Sequence, residues 1–184
     1  MPAPKRRPLS PCQTLPQVRE RLRAGAKTVI IDHRRDTALE LTDAELPDHV
    51  TVRITGISRV QITRTTPATK KSAQIVVTDA ARVQIFGHTM LFAYGTATVD
   101  AFDNARVRAT NRAVIHAVND TYIEASEDTT VYAYDTATVH AHGHSSVYAT
   151  DHTALFLYND ASAEVERGVA VHGPARNNIT MRTN

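Results

Sequence analysis

His140, His142 and His144 stand at alternate positions of the stretch HAHGH. Alternate residues of an extended chain project from one face, and imidazole nitrogens suit Zn, Cu and Ni. The spacing points to a metal site built from His140, His142 and His144 with a nearby Asp, without a catalytic role. The competing reading is that histidine fills exposed strand positions here, as Tyr does in the neighbouring repeats. Asp103, Asn119, Asp135 and Asp151 recur every sixteen residues. Aligned in a column they could take Ca²⁺, but the same residue types are what a sharp backbone corner favours, and the corner is the preferred reading. Asp100, Glu124 and Glu164 fall at outward positions, as do the acids that polysaccharide-cleaving solenoids gather on a strand face. No nucleophile motif, phosphate-cradling Gly-rich loop or carboxylate pair in an evident cleft accompanies them. A protein that is not an enzyme and uses no cofactor is therefore expected.

The elements that must position these residues follow from an eight-residue register. Ile75, Val83, Leu91, Val99, Val107, Ile115, Ile123, Val131, Val139, Val147 and Leu155 succeed one another every eight residues without a gap. Two places after each comes Val77 or Ile85, then Ala from Ala93 through Ala149, then Leu157; two places before each is Ala, Thr or Ser. Apolar or small residues at three alternate positions make a short strand with one face inward. Gly87, Gly95, Asp103, Asn111, Asn119, Glu127, Asp135, Gly143, Asp151 and Asn159 hold one fixed place between strands. All but Glu127 tolerate a left-handed backbone, so each marks a corner. A period of eight is out of step with 3.6 residues per helical turn. A fixed short period over this length is the mark of a stacked repeat.

Outward residues between Val and Ala set the number of octads per coil. With two octads per coil, Asp100 lies beside His116, Arg108 beside Glu124, Glu124 beside His140 and Tyr132 beside Tyr148. With three, Asp100 would face Glu124, a like-charge pair that costs stability in neighbouring strands. The predicted fold is an all-β β-solenoid: a flattened roll of about six coils, two strand-turn units and sixteen residues per coil, rising about 4.8 Å each.

The organisation expected is a disordered, basic, Pro-rich leader at 1–14, a capping helix with irregular first coils at 15–72, the regular octads at 73–160, and a frayed last coil with a C-terminal cap at 161–184. TLPQVRERLRAG reads as a short amphipathic helix, with Pro16 in its first turn and Gly25 as its stop. TVIID, ALELT, VTVRIT and VQIT supply the strands of the first one or two coils, followed by a basic insertion, RTTPATKK.

Ala and Val dominate the apolar 42% of the 184 residues, with no Trp and four Phe, which implies a thin core. The single cysteine, Cys12, leaves no intrachain disulfide to form. No apolar run of secretory type follows the basic start, and no stretch has the length of a membrane span. A cytoplasmic protein is expected; a component of a phage or phage-like particle would share that origin. Residues 1–71 hold 14 Lys/Arg against 7 Asp/Glu and residues 72–184 hold 7 against 12, an asymmetry able to orient a partner. Binding of nucleic acid through the basic leader is disfavoured, because no aromatic residues interleave its charges.

Phe92, Tyr94, Phe102, Tyr132, Tyr134, Tyr148, Phe156 and Tyr158 are expected outside the core, as an interaction surface for a protein or a carbohydrate; stacking between strands is the competing use. A protein partner or self-assembly is the leading expectation, and the rigid roll a non-enzymatic scaffold or assembly module. AYGTATVD, AFDNARVR and AYDTATVH resemble the octapeptide-repeat proteins of actinobacteria and their phages, most of them without an assigned role. They are distantly similar to the repeat region of bacterial ice nucleation proteins, where two octads also form one unit. That resemblance implies a solenoid and carries no functional site. Ice-nucleating arrays present rows of Thr and Ser, whereas the row here mixes Phe92, Asp100, Arg108, His116, Glu124 and Tyr132, so ice binding is not expected.

Overall fold

Alternation of inward apolar and outward polar residues yields eighteen short strands in the computed structural model, which describes residues 9–67, 69, 71–175 and 178–182. One parallel sheet holds β1 (Thr28–Ile31), β3 (Thr51–Ile54), β5 (Gln74–Val77), β7 (Met90–Ala93), β9 (Arg106–Ala109), β11 (Tyr122–Ala125), β13 (Thr138–Ala141), β15 (Ala154–Leu157) and β17 (Ala170–His172). The other holds β2 (Leu39–Leu41), β4 (Arg59–Arg64), β6 (Arg82–Gly87), β8 (Thr98–Ala101), β10 (Val114–Ala117), β12 (Thr130–Ala133), β14 (Ser146–Ala149), β16 (Ser162–Val165) and β18 (Ile179–Met181). The chain crosses from this odd sheet to the even sheet at every corner, so the two form a β-solenoid with two strands per coil.

Register is as the charge argument requires. Ile115 pairs with Val99 and Val131, His116 with Asp100 and Tyr132, and Glu124 with Arg108 and His140. Inside, Ile75, Leu91, Ile115, Ile123 and Leu155 and the alanines Ala93, Ala101, Ala117, Ala125, Ala133 and Ala141 are wholly buried. Large residues thus fill the middle of each strand and Ala the place before the corner.

All ten predicted corner residues have a positive φ, between 55° and 69°. The Asx column is a corner ladder: the backbone N–H of Gly87 donates to Asp103, that of Asp103 to Asn119, that of Asn119 to Asp135 and that of Asp135 to Asp151, at 3.0 to 3.4 Å. On the opposite edge Glu127, the least suited to a left-handed backbone, accepts from the amide and the side chain of Asn111 at 3.0 and 2.6 Å. Gly87 has a further reason to be glycine, since a Cβ there would run into the backbone carbonyl of Arg64. Thr89, Thr129, Ser145 and Thr153, buried at the start of their strands, each donate a hydroxyl to the carbonyl three residues back at 2.7 to 2.8 Å.

At the front, α1 (Leu15–Arg23) begins with the Gln17 side chain accepting from the Thr14 amide and stops before Gly25, with φ 76°. Its buried face, led by Val18, covers β1 and β2. The leader does not stay apart from the fold through residue 14. Cys12 is buried and bridges the edge of β1, donating to Ile30 O at 2.7 Å and accepting from the Asp32 amide at 3.0 Å. Residues 1–8 of the expected leader lie outside the described residues. His33, also buried, sets one ring nitrogen 2.7 Å from Gln13 O and the other 2.8 Å from Thr37 O, tying leader to loop.

The insertion after β4 is anchored rather than free at its start. Arg64 is buried and paired with Asp43 at 3.1 Å, and Asp43 also accepts from the Thr65 amide and hydroxyl. Burial opposes ionisation of Asp43, but Thr65 and Arg64 outweigh it and hold its pKa below the ordinary value. Glu45 behaves alike: burial is outweighed by Thr42 and Arg19.

The back of the roll departs from expectation. The octad register continues past Leu157 instead of fraying: Val171 pairs with Leu155 and Ile179 with Ala163, so both sheets reach nine strands and the roll exceeds six coils. The sequence hid this because Arg167 stands at the regular corner place, with the positive φ moved to Gly168, and Gly173 stands where the octads carry Ala. Among the described residues, no helix is long and apolar enough to cross a membrane.

Candidate functional site

The three histidines are not brought together. β13 sets His140 between Glu124 and Phe156, with its ring stacked on Phe156 at 4.4 Å and tilted against Tyr122 at 5.2 Å. His142, just past the strand, stacks on Tyr158 at 4.5 Å and 5°. His144 lies beyond the Gly143 corner, 74% of its side chain exposed, 3.8 Å from Asp160. Among the described residues no group of three or more His, Cys, Asp or Glu side chains is placed to hold a metal. Of the expected His140, His142 and His144 set, His140 and His142 instead join rung-to-rung stacks with Phe156 and Tyr158, and both rings lie against Tyr158. Burial lowers the pKa of His140, Glu124 partly opposes this and His142 adds to it, so the ring favours its neutral form.

The outward carboxylates are divided in the same way. Asp100 and Glu164 are on the even sheet and Glu124 on the odd. Each meets a basic group one rung away: Asp100 with His116 at 2.7 Å, Glu124 with Arg108 at 2.7 Å, Glu164 with Arg182 at 3.2 Å. Asp100 and Glu164 are four rungs apart, about 19 Å, whereas a glycosidase pair works at about 5–9.5 Å. The oxygens of Asp103, Asn119, Asp135 and Asp151 are committed to corner amides. Thr150 and the amide of Asp135 hold Asp151 below the ordinary carboxylate value.

The eight aromatic residues do not share one face. Phe92, Tyr94, Phe156 and Tyr158 belong to the odd-sheet side, and Phe102, Tyr132, Tyr134 and Tyr148 to the even-sheet side. Tyr132 stacks on Tyr148 at 5.0 Å and Phe102 on Phe86 at 4.9 Å, while Phe156 sits between His140 and His172. Ladder packing therefore half-buries most of them, and Tyr94, Tyr134 and Tyr148 are the most exposed, at 37 to 38%. Phe86, Tyr122 and His172 join these stacks although the sequence did not single them out, and His116, expected beside Asp100, also tilts against Tyr132. Sixteen-residue spacing would have found Phe86 and His172; Tyr122 reaches His140 diagonally.

One concavity interrupts the odd-sheet columns. Phe92 and Tyr94 bound it at one end and His142 at the other, with Thr110 and Ser126 on its floor and the Arg108–Glu124 pair beside it, enclosing about 310 Å³. It holds a flat ring edge, hydroxyls and one charge of each sign. No family model matches the chain, and neither a curated protein nor a solved structure matches it.

Proposed function

We propose that this is a non-enzymatic structural or interaction protein, a rigid β-solenoid module that spaces or joins partners. The observation that carries the reading is that outward side chains capable of chemistry are spent on one another along the axis: rings on rings, carboxylates on bases, Asx oxygens on corner amides. Such ladders stiffen a rod, each cross-strand pair adding about 0.2–1 kcal/mol, and hold Asp100, Glu124 and Glu164 in pairs with basic groups. Nine rungs span about 40 Å. Small-angle scattering and turnover assays on a panel of polysaccharides test this. A rigid elongated particle without turnover is expected. Hydrolysis that disappears in Glu124→Gln or Asp100→Asn would overturn it in favour of a solenoid enzyme.

The odd-sheet concavity favours a second reading, a saccharide-binding face. Arg108 and Glu124 cancel in charge, which disfavours phosphate-bearing ligands, and together with Thr110 and Ser126 they offer both donors and acceptors to hydroxyls beside Tyr94. Affinity electrophoresis in gels containing soluble polysaccharides tests it. Retardation that Tyr94→Ala abolishes is expected, and unretarded migration in every gel rejects it.

A further inference from the structure

We propose that the protein pairs with a second copy of itself through its last coil, β17 of each copy joining β18 of the other. The inference rests on the module reading above and names its surface and its partner.

The two ends of the roll are unlike. At the front, Cys12 bridges the outer edge of β1 and α1 lies over the first coil. At the back, the sheets stop at β17 and β18, and among the described residues no strand pairs with their outer edges. Ala170 and Arg182 direct their amides inward, to Thr153 O at 3.0 Å and Val165 O at 2.8 Å. Backbone groups of a parallel strand alternate between its two neighbours. Those of Val171, Ile179 and Met181 consequently face outward. The same residues carry the core-facing side chains, and these have lost their cover: Val171 and Ile179 are only partly buried, and Met181 is 60% exposed.

Short length is the one edge protection that β17 and β18 keep, at three residues each. Neither Ala170–His172 nor Ile179–Met181 contains a Lys, a Pro or an inward charge. Strands of the two sheets run in opposite directions around each coil. A copy turned about a two-fold axis parallel to the strands therefore sets its β18 antiparallel to β17 and its β17 antiparallel to β18. Both junctions are equivalent, unpaired amides meet unpaired carbonyls, and the apolar row of Val171, Ile179 and Met181 meets itself. With the front covered, one open end per molecule closes the assembly at two instead of propagating a filament.

Light scattering after size-exclusion chromatography of the full chain, at low and moderate salt, tests the proposal. A species of twice the 20.2 kDa chain mass is expected, insensitive to salt because the contact is backbone and apolar. Met181→Lys alters a residue exposed in the single copy, so circular dichroism should be unchanged while dimer affinity falls at least tenfold. Glu20→Lys, on the exposed side of α1, should leave the dimer intact. A monomer at about 100 µM, a filament, or a dimer lost with Glu20→Lys and kept with Met181→Lys overturns the pairing. An elongated, non-catalytic monomer would sink the dimer alone and spare the module reading; polysaccharide turnover would sink the module reading instead.

Discussion

Ala117→Leu puts the inside of the roll under direct test. Ala117 is wholly buried, and its neighbours in register, Ala101 and Ala133, are wholly buried as well, one rung (about 4.8 Å) to either side. Burying three more carbons would gain about 0.8 kcal/mol each if space existed. None does: the column is alanine on both sides, and the strand is pinned by parallel partners above and below, so the longer side chain must push the sheets apart or leave its rotamer. Overpacking of this kind costs about 1–3 kcal/mol net. In a chain of this size each kcal/mol moves Tm by about 2–4 °C, so a fall of about 2–12 °C is expected. Thermal melts followed by circular dichroism read it, with the β signal at low temperature confirming that the fold persists. An unchanged or raised Tm would refute the assignment of the Ala row to the interior.

Gly87→Ala should destabilise by more than the about 1–2 kcal/mol of a left-handed Ala, because its Cβ meets the Arg64 carbonyl. Gly25→Ala, with φ 76° and open space around it, should cost only the conformational part; equal melting losses would count against the close approach. Thr121 Oγ1 is buried without a hydrogen-bond partner, so Thr121→Ala should be neutral or stabilise by up to about 1 kcal/mol, while Thr129→Ala should cost about 1 kcal/mol; denaturant melts showing the reverse order would contradict the corner bonding. His140 has a folded pKa below the ordinary imidazole value of about 6.5, so the unfolded chain takes up the proton more readily. Its contribution is fully present above that value and is lost as pH falls through the lower folded one. Between about pH 7.5 and 5, Tm of the native chain should drop more than that of His140→Phe, and parallel curves would refute the ring's role.

Much of the candidate site was hidden for a physical reason. Stacking and ion pairing join residues sixteen or eighteen apart, and their outcome depends on rotamers and on which of two outward columns a side chain occupies. HAHGH has the alternation of a chelate, yet His140 and His142 find Phe156 and Tyr158 along the axis sooner than they find each other. The front clamp of Asp43 on Arg64 and Thr65 joins residues 21 and 22 positions apart, and a period of eight gives no sign of it. Cys12 illustrates the same limit: leader composition reads as solvated, while one backbone bridge to β1 is enough to bury it.

What the sequence determined by itself is everything that repeats. Each octad carries its own strand alternation and its own corner, so β-solenoid, sixteen-residue coil, outward rows and the capping helix follow from local residue types that need no distant partner to be read. What only the tertiary structure decided is where the repetition meets something unlike itself: the division of aromatics between two faces, the pairing of Glu164 with Arg182 and of Asp43 with Arg64, and the contrast, among the described residues, between a covered first coil and an open last one. Those depend on packing between coils, and at the two ends of the roll the period has no neighbour to repeat against.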